Sequence, residues 1–151
     1  MSDSPGAPRG GSIALAGLIR ENRHIIELRL ATAAELTELT GEVEIVGRVK
    51  GFLRGWHVIA IDDHLRCATS LHVVGTYEMR SWITSDLLVL SPDRSLARTR
   101  NSTYGLGLAA ETDLSAAHLV TIAGALKAWG LVDRYGLGLI RVDESEADSD
   151  A

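Results

Sequence analysis

The chain has 151 residues, about one domain's worth, and a domain of that size can bury a core without disulfide or metal staples. Its hydrophobic fraction of 46% and charged fraction of 23% are those of an ordinary globular protein. Cys67 is the only cysteine, which excludes an intrachain disulfide and a disulfide-built secreted domain, so a reducing, cytoplasmic setting is expected.

The formal net charge of −5 is unevenly placed. Asp143, Glu144, Glu146, Asp148 and Asp150 crowd the C-terminal end, and without them the remaining acidic residues balance the 15 basic ones. A neutral body argues against a broad nucleic-acid surface but allows a local one. The longest uncharged stretch of the C-terminal half, Leu114 to Leu126, is too short to span a bilayer, so no membrane partner is expected.

Residues 1–11 are rich in Pro, Gly and Ser and read as a disordered tail. The acidic residues 143–151 read likewise, leaving 12–142 as a single domain. The apolar run from Ser12 to Ile19 reads as structure rather than a signal peptide, with a short helix from Ser12 to about Asn22. From His24 to Leu30, Ile26, Leu28 and Leu30 alternate with Glu27 and Arg29, which is strand period; a continuous helix is the competing reading. Thr32-Ala-Ala-Glu35 is a capping-box pattern and predicts a helix from Ala33 to Thr40, stopped at Gly41.

Glu42 to Phe52 and Trp56 to Asp62 are rich in Val and Ile, and Gly51 and Gly55 suggest a tight hairpin connection. Leu71 to Tyr77 and Trp82 to Leu90 are expected to pair across Glu78–Ser81. Ser91-Pro-Asp-Arg94 suits a type I turn, after which Leu96 to Tyr104 returns as a strand. Asp113 or Ser115 can cap a helix whose His118, Ile122, Ala125, Leu126 and Trp129 form one apolar stripe, with Gly130 past its end. Tyr135 to Val142 reads as a last strand. The fold expected is α+β: an antiparallel, twisted or barrel-like sheet of about five to seven strands, packed on one main C-terminal helix, with short N-terminal helices.

Leu96 to Tyr104 carries mostly polar and basic residues where a strand normally shows a buried face. Arg98 and Arg100 fall on one side by alternation, Arg94 precedes them, and Asn101 and Tyr104 add polar and aromatic contacts. Trp82, if exposed beside this strand, would make an interface anchor. The bland alternative is an edge strand guarded by charge against aggregation. The preferred function is non-enzymatic binding of a protein partner, or self-association, by edge pairing or by presenting Arg98 and Arg100 to acidic groups. Single-stranded nucleic acid or RNA bound through Arg94, Arg98, Arg100 and Tyr104 is the alternative.

Asp62, Asp63, His64, Cys67 and His72 supply carboxylate, imidazole and thiolate groups and support a third reading, a metal- or thiol-dependent enzyme. The His64, Cys67 and His72 spacing matches no zinc signature, so no metal is assigned and no cofactor is implied. Trp56, Trp82 and Trp129 otherwise read as core anchors, and His118 as a partly buried packing residue with one hydrogen bond. The repeated Tyr-Gly-Leu-Gly-Leu at 104–108 and 135–139 is read as coincidence.

Overall fold

The computed structural model describes residues 14–142 apart from Val46, so the two tails read from the sequence lie outside the described residues. After a helical turn at 14–16 come β1 (Ile19–Glu21), β2 (Ile26–Leu30) and α1 (Ala33–Leu39). A sheet region follows: β3 (Val49–Asp63), β4 (Ala68–Tyr77), β5 (Arg80–Ile83), β6 (Leu87–Leu90), β7 (Leu96–Thr99) and β8 (Thr103–Leu106). The chain ends in α2 (Ala116–Ala128), α3 (Leu131–Tyr135) and β9 (Gly138–Leu139).

The fold is α+β around a seven-stranded mixed sheet of order β5-β4-β3-β8-β7-β6, with β2 also paired to β3. β3 is the spine. Its C-terminal half pairs antiparallel with β2 and β4, and its N-terminal half pairs parallel with β8. The expected all-antiparallel sheet is corrected at that junction. The sheet is not a closed barrel. β1 and β9 form a separate two-stranded ladder.

Both faces of the sheet are covered. Ile59 and Ile61 of β3 point toward α2 and pack with Ile26, Val74, Leu119, Ile122 and Leu126. Leu53, Trp56 and Val58 point the other way and join Val73, Leu87, Leu90, Ala97, Tyr104 and Leu106. Side chains of β4 and β6 meet in this second cluster although the strands are not neighbours, so the sheet curls around it. Complete burial of a side chain such as Ile122 or Leu90 contributes about 1.5–3 kcal/mol.

The predicted capping box forms: Glu35 N–H donates to Thr32 Oγ1 at 3.1 Å and Thr32 N–H to Glu35 Oε1 at 2.8 Å. Ser115, one of the two expected caps, accepts from His118 N–H and starts α2. The turn expected at Ser91 also forms, with Arg94 N–H donating to Ser91 O at 3.0 Å. The hairpin from Leu71 forms only in part: it turns at Glu78–Met79, with φ of 49° and 67°, and pairs with β5, whereas Leu87–Leu90 of the expected second strand is β6 and pairs with β7.

Other expectations are corrected. Most of the stretch read as an N-terminal helix is a helical turn followed by β1. Leu96 to Tyr104 is two strands, β7 and β8, joined by a turn at Arg100–Ser102. Tyr135 to Val142 keeps only β9 as strand, because Leu131, Val132 and Tyr135 recur at helical spacing and pack on the core beneath α2. The two Tyr-Gly-Leu-Gly-Leu copies accordingly differ in structure.

The largest correction concerns Gly55. No hairpin separates Glu42–Phe52 from Trp56–Asp62; residues 49–63 are one strand with a bulge. Arg54 pairs with Thr76 and His57 with Val74, so β3 advances three residues where β4 advances two. Gly55 takes up the extra residue at φ 56°, in the left-handed region. Across from it, a Cβ on Gly75 would stand 3.0 Å from Arg54 O and 3.2 Å from Trp56 Cβ, so a side chain there would press on the bulge. Among the described residues no helix is long and apolar enough to cross a membrane.

Gly55→Val is expected to destabilise the fold by about 1–2 kcal/mol, the left-handed penalty for an L side chain, read from the urea unfolding midpoint. An unchanged midpoint would contradict a left-handed Gly55.

Candidate functional site

In an unbroken strand, residues 54 and 57 would face opposite sides. The bulge places Arg54 and His57 on one side and Leu53 and Trp56 on the other. The segment after β8 follows β3 through this irregularity. Gly107 N–H donates to Leu53 O, Gly55 N–H to Leu108 O, and Ala110 N–H to Trp56 O. Trp56 Nε1–H donates to Gly107 O at 2.9 Å.

Between this segment, the bulge and the start of α2 lies a cleft of about 520 Å³. Its lining includes Arg54, His57, Leu108, Ala109, Glu111, Thr112, Asp113, Ser115 and His118. Leu108 is 82% exposed at the rim. Arg54 forms no ion pair among the described residues.

Two imidazoles lie at this cleft. His57 Nε2 lies 2.9 Å from Thr112 O; a carbonyl only accepts, so this nitrogen carries the hydrogen. In neutral His57, Nδ1 is then a bare lone pair, and it is buried with no partner among the described residues. His118 is 8% exposed, and its Nε2 lies 3.4 Å from Thr76 Oγ1. Its Nδ1 is also buried and unpartnered. Burial, with the neighbouring His57, pushes the His118 pKa below the ordinary imidazole range, so it is neutral at neutral pH.

The residues singled out from the sequence are dispersed. β7 lies between β6 and β8, so it has no open edge to add a strand to. Tyr104 is 3% exposed in the inner core, and Trp82 Nε1–H donates to its hydroxyl at 3.1 Å. Trp82 also meets Tyr77 edge to face, with the Lys50 ammonium 4.8 Å from its ring centroid. Arg94 turns away to Thr40 Oγ1 and Ser91 O. Arg98 is half-buried, while Arg100 and Asn101 project at the turn and Arg100 pairs with Asp86 at 2.8 Å. An exposed platform combining Trp82 and Tyr104 with the arginines does not form, because both aromatic rings pack inside the curled sheet.

His64, Cys67 and His72 do not converge either. Cys67 is exposed, with Sγ 3.8 Å from His64 O. His72 is buried, stacked on Trp129 at 4.7 Å between centroids, and its Nδ1–H donates to Thr84 O at 3.0 Å. Its Nε2 lies 2.8 Å from Ser70 Oγ. Burial lowers the His72 pKa despite the neighbouring Asp86 carboxylate. Among the described residues, His64 instead groups with Glu27 and Asp62, their ligand atoms within 4.8 Å of one another. Those groups are already partnered: His64 with Glu27 at 3.0 Å, and Asp62 with Arg29 and Thr69. Arg29 also grips Glu35 through two hydrogen bonds and holds its pKa down to about 2.

Arg54 escaped the sequence reading, His57 was weighed there only as a serine-triad member with Thr84–Asp86 and set aside, and His118 was read only as packing. An isolated glycine inside a β-branched run, as at Gly55, is the signal that marks a bulge. No family model, curated protein or solved structure matches the chain.

The pH dependence of stability follows from these groups. His72 and His118 have lowered folded-state values, so the unfolded chain binds more protons below its ordinary imidazole pKa of about 6.5. Stability therefore falls as pH drops below that value and levels once the folded imidazoles also protonate. A second loss begins near pH 4.5, where unfolded Glu35 protonates, and runs down toward 2. Thermal melting against pH is expected to show both stages, and Glu35→Gln to reduce the second alone. A flat profile from pH 7.5 to 5.5 would contradict the neutral buried imidazoles.

Proposed function

We propose that the protein binds a small ligand in the cleft formed by Arg54, His57 and His118. The observation that carries this reading is the pair of buried imidazole nitrogens left without partners at one cleft. A buried polar atom without a partner costs about 1–3 kcal/mol, and an ordered water, a bound ion or a catalytic role is what such a group calls for. The volume suits a small molecule or ion, within the range of roughly 300–1,000 Å³ for ligand pockets. Apolar Leu108, Ala109 and Ala110 beside a few convergent polar groups are the usual composition of such a pocket.

This keeps the binding function expected from the sequence and moves it from 96–104 to the cleft. A protein partner at 96–104 has weaker support. Arg100 and Asn101 remain exposed there, and the Arg100 guanidinium already has a carboxylate.

The test is native mass spectrometry of the full chain purified without denaturant, with the bound species released by acid and identified. A defined adduct is expected on the native protein. Ala109→Trp, which fills the exposed wall of the cleft, should remove it while leaving the melting temperature within a few degrees. An adduct that survives Ala109→Trp would place the ligand elsewhere. If no adduct is seen and a fragment screen by protein-observed NMR finds no shift at His57 or His118, the reading fails.

A further inference from the structure

We infer that Ser70 is a nucleophile activated by His72, and that the groove Ser70 lines takes a small carboxylic ester. This centre is separate from the Arg54 cleft, since the two linings share no residue, and it does not depend on that reading.

Ser70 and His72 are two residues apart on β4, so alternation puts both side chains on one face. His72 Nδ1 lies 3.0 Å from Thr84 O, and a carbonyl only accepts, so the ring hydrogen is on Nδ1. In the neutral ring Nε2 is then a lone pair, and the Ser70 hydroxyl donates to it at 2.8 Å. Thr84 is itself fixed on β4: its N–H donates to Val73 O, and Val73 N–H donates to its Oγ1. Trp129 stacks on the imidazole and holds its plane. Burial keeps the ring neutral at neutral pH, the form that accepts a proton. A hydroxyl bonded to a base whose second nitrogen is held by a third group is the arrangement of an activated nucleophile.

Asp86 sets this group apart from a serine that only satisfies a buried ring. Its Oδ1 lies 3.8 Å from His72 Nε2, the nitrogen that would take the Ser70 proton, so it stabilises the imidazolium formed there. Ser70 and Asp86 both line a groove of about 330 Å³ between α1, β4 and β6. Leu39 and Leu71 give the groove apolar walls, while Glu35, Glu38 and Asp86 carry its charge, with no basic residue in the lining. A cationic ester is therefore favoured over an anionic one. In the acylation step the Ser70 proton passes to Nε2 as Oγ bonds to the acyl carbon. The ester C–O bond then breaks, and the leaving alcohol takes the proton from Nε2. Water repeats the sequence, with Nε2 again as base, and releases the acid and free Ser70.

The experiment treats the full chain with a fluorophosphonate and locates the adduct by peptide mass spectrometry. One adduct is expected, on Ser70, forming at least about a hundredfold faster than on the same serine in the urea-unfolded chain. That ratio is read on the wild type, so it holds whether or not a variant folds. His72→Gln should slow the labelling by a similar factor, and Ser70→Ala should reduce p-nitrophenyl acetate hydrolysis to the rate of buffer. Relative to spontaneous hydrolysis, p-nitrophenyl 4-(trimethylammonio)butanoate should be cleaved faster than p-nitrophenyl glutarate. No adduct, an adduct on another residue alone, a Ser70 rate equal to that of the unfolded chain, or ester turnover that survives Ser70→Ala would overturn the inference. A preference for the anionic ester would overturn the substrate class. Ala109→Trp, which fills the other cleft, should leave the labelling rate unchanged.

Discussion

One extra residue in a long strand governs this structure. Among the described residues, β3 joins the two halves of the sheet by pairing with strands of both, and the bulge at Gly55 sits where it changes partners. Below the bulge β3 pairs with β8, and above it with β4 and β2. Because strand side chains alternate, an inserted residue reverses the facing of everything before it relative to everything after it. Leu53 therefore shares a core with Trp56 and Val58, and Arg54 shares a side with His57. A straight strand would turn either Leu53 or Trp56 outward.

The cleft follows from that reversal. The segment after β8 copies the irregularity of β3, bonding residue by residue through Gly107, Leu108 and Ala110. It then leads through Thr112 to the cap of α2. Thr112 O meets His57 from one side, and Ser115 holds the first turn of α2 so that His118 enters the covered face of the sheet. Neither histidine is placed by a loop alone. Each is held on a regular element, and each has one ring nitrogen already bonded. Such placement leaves each ring little rotational freedom.

Local signals were legible in the sequence where the decisive interaction is local. Thr32 with Glu35, the Ser91 turn and the Ser115 cap involve residues within a few positions of one another, and each forms as read. Most of the apolar stripe of α2 was also visible, since one period of one element decides it, although Leu119 was missed and Trp129 is an exposed cap. Gly55 was misread because a glycine between two Val- and Ile-rich runs marks a turn or a bulge equally well. The choice depends on Gly75, 20 positions away and opposite it in the sheet. The basic character of 96–104 was real, but β6 and β8 close over both edges of β7, and Tyr104 turns inward to Trp82. The His57–Thr112 and Thr76–His118 contacts join distant segments, so no spacing rule exposes them.

The bulge ends in the setting of one hydrogen atom: Thr112 O only accepts, so His57 carries its hydrogen on Nε2 and its buried Nδ1 is a lone pair. Long-range nitrogen–proton correlation of the imidazoles at neutral pH reads this directly. His57 is predicted to show the Nε2–H tautomer, with the Nδ1 shift of an unprotonated, weakly bonded nitrogen. An Nδ1–H tautomer at His57, or an Nδ1 shift of a strongly hydrogen-bonded nitrogen, would contradict the bulge's placing His57 against Thr112.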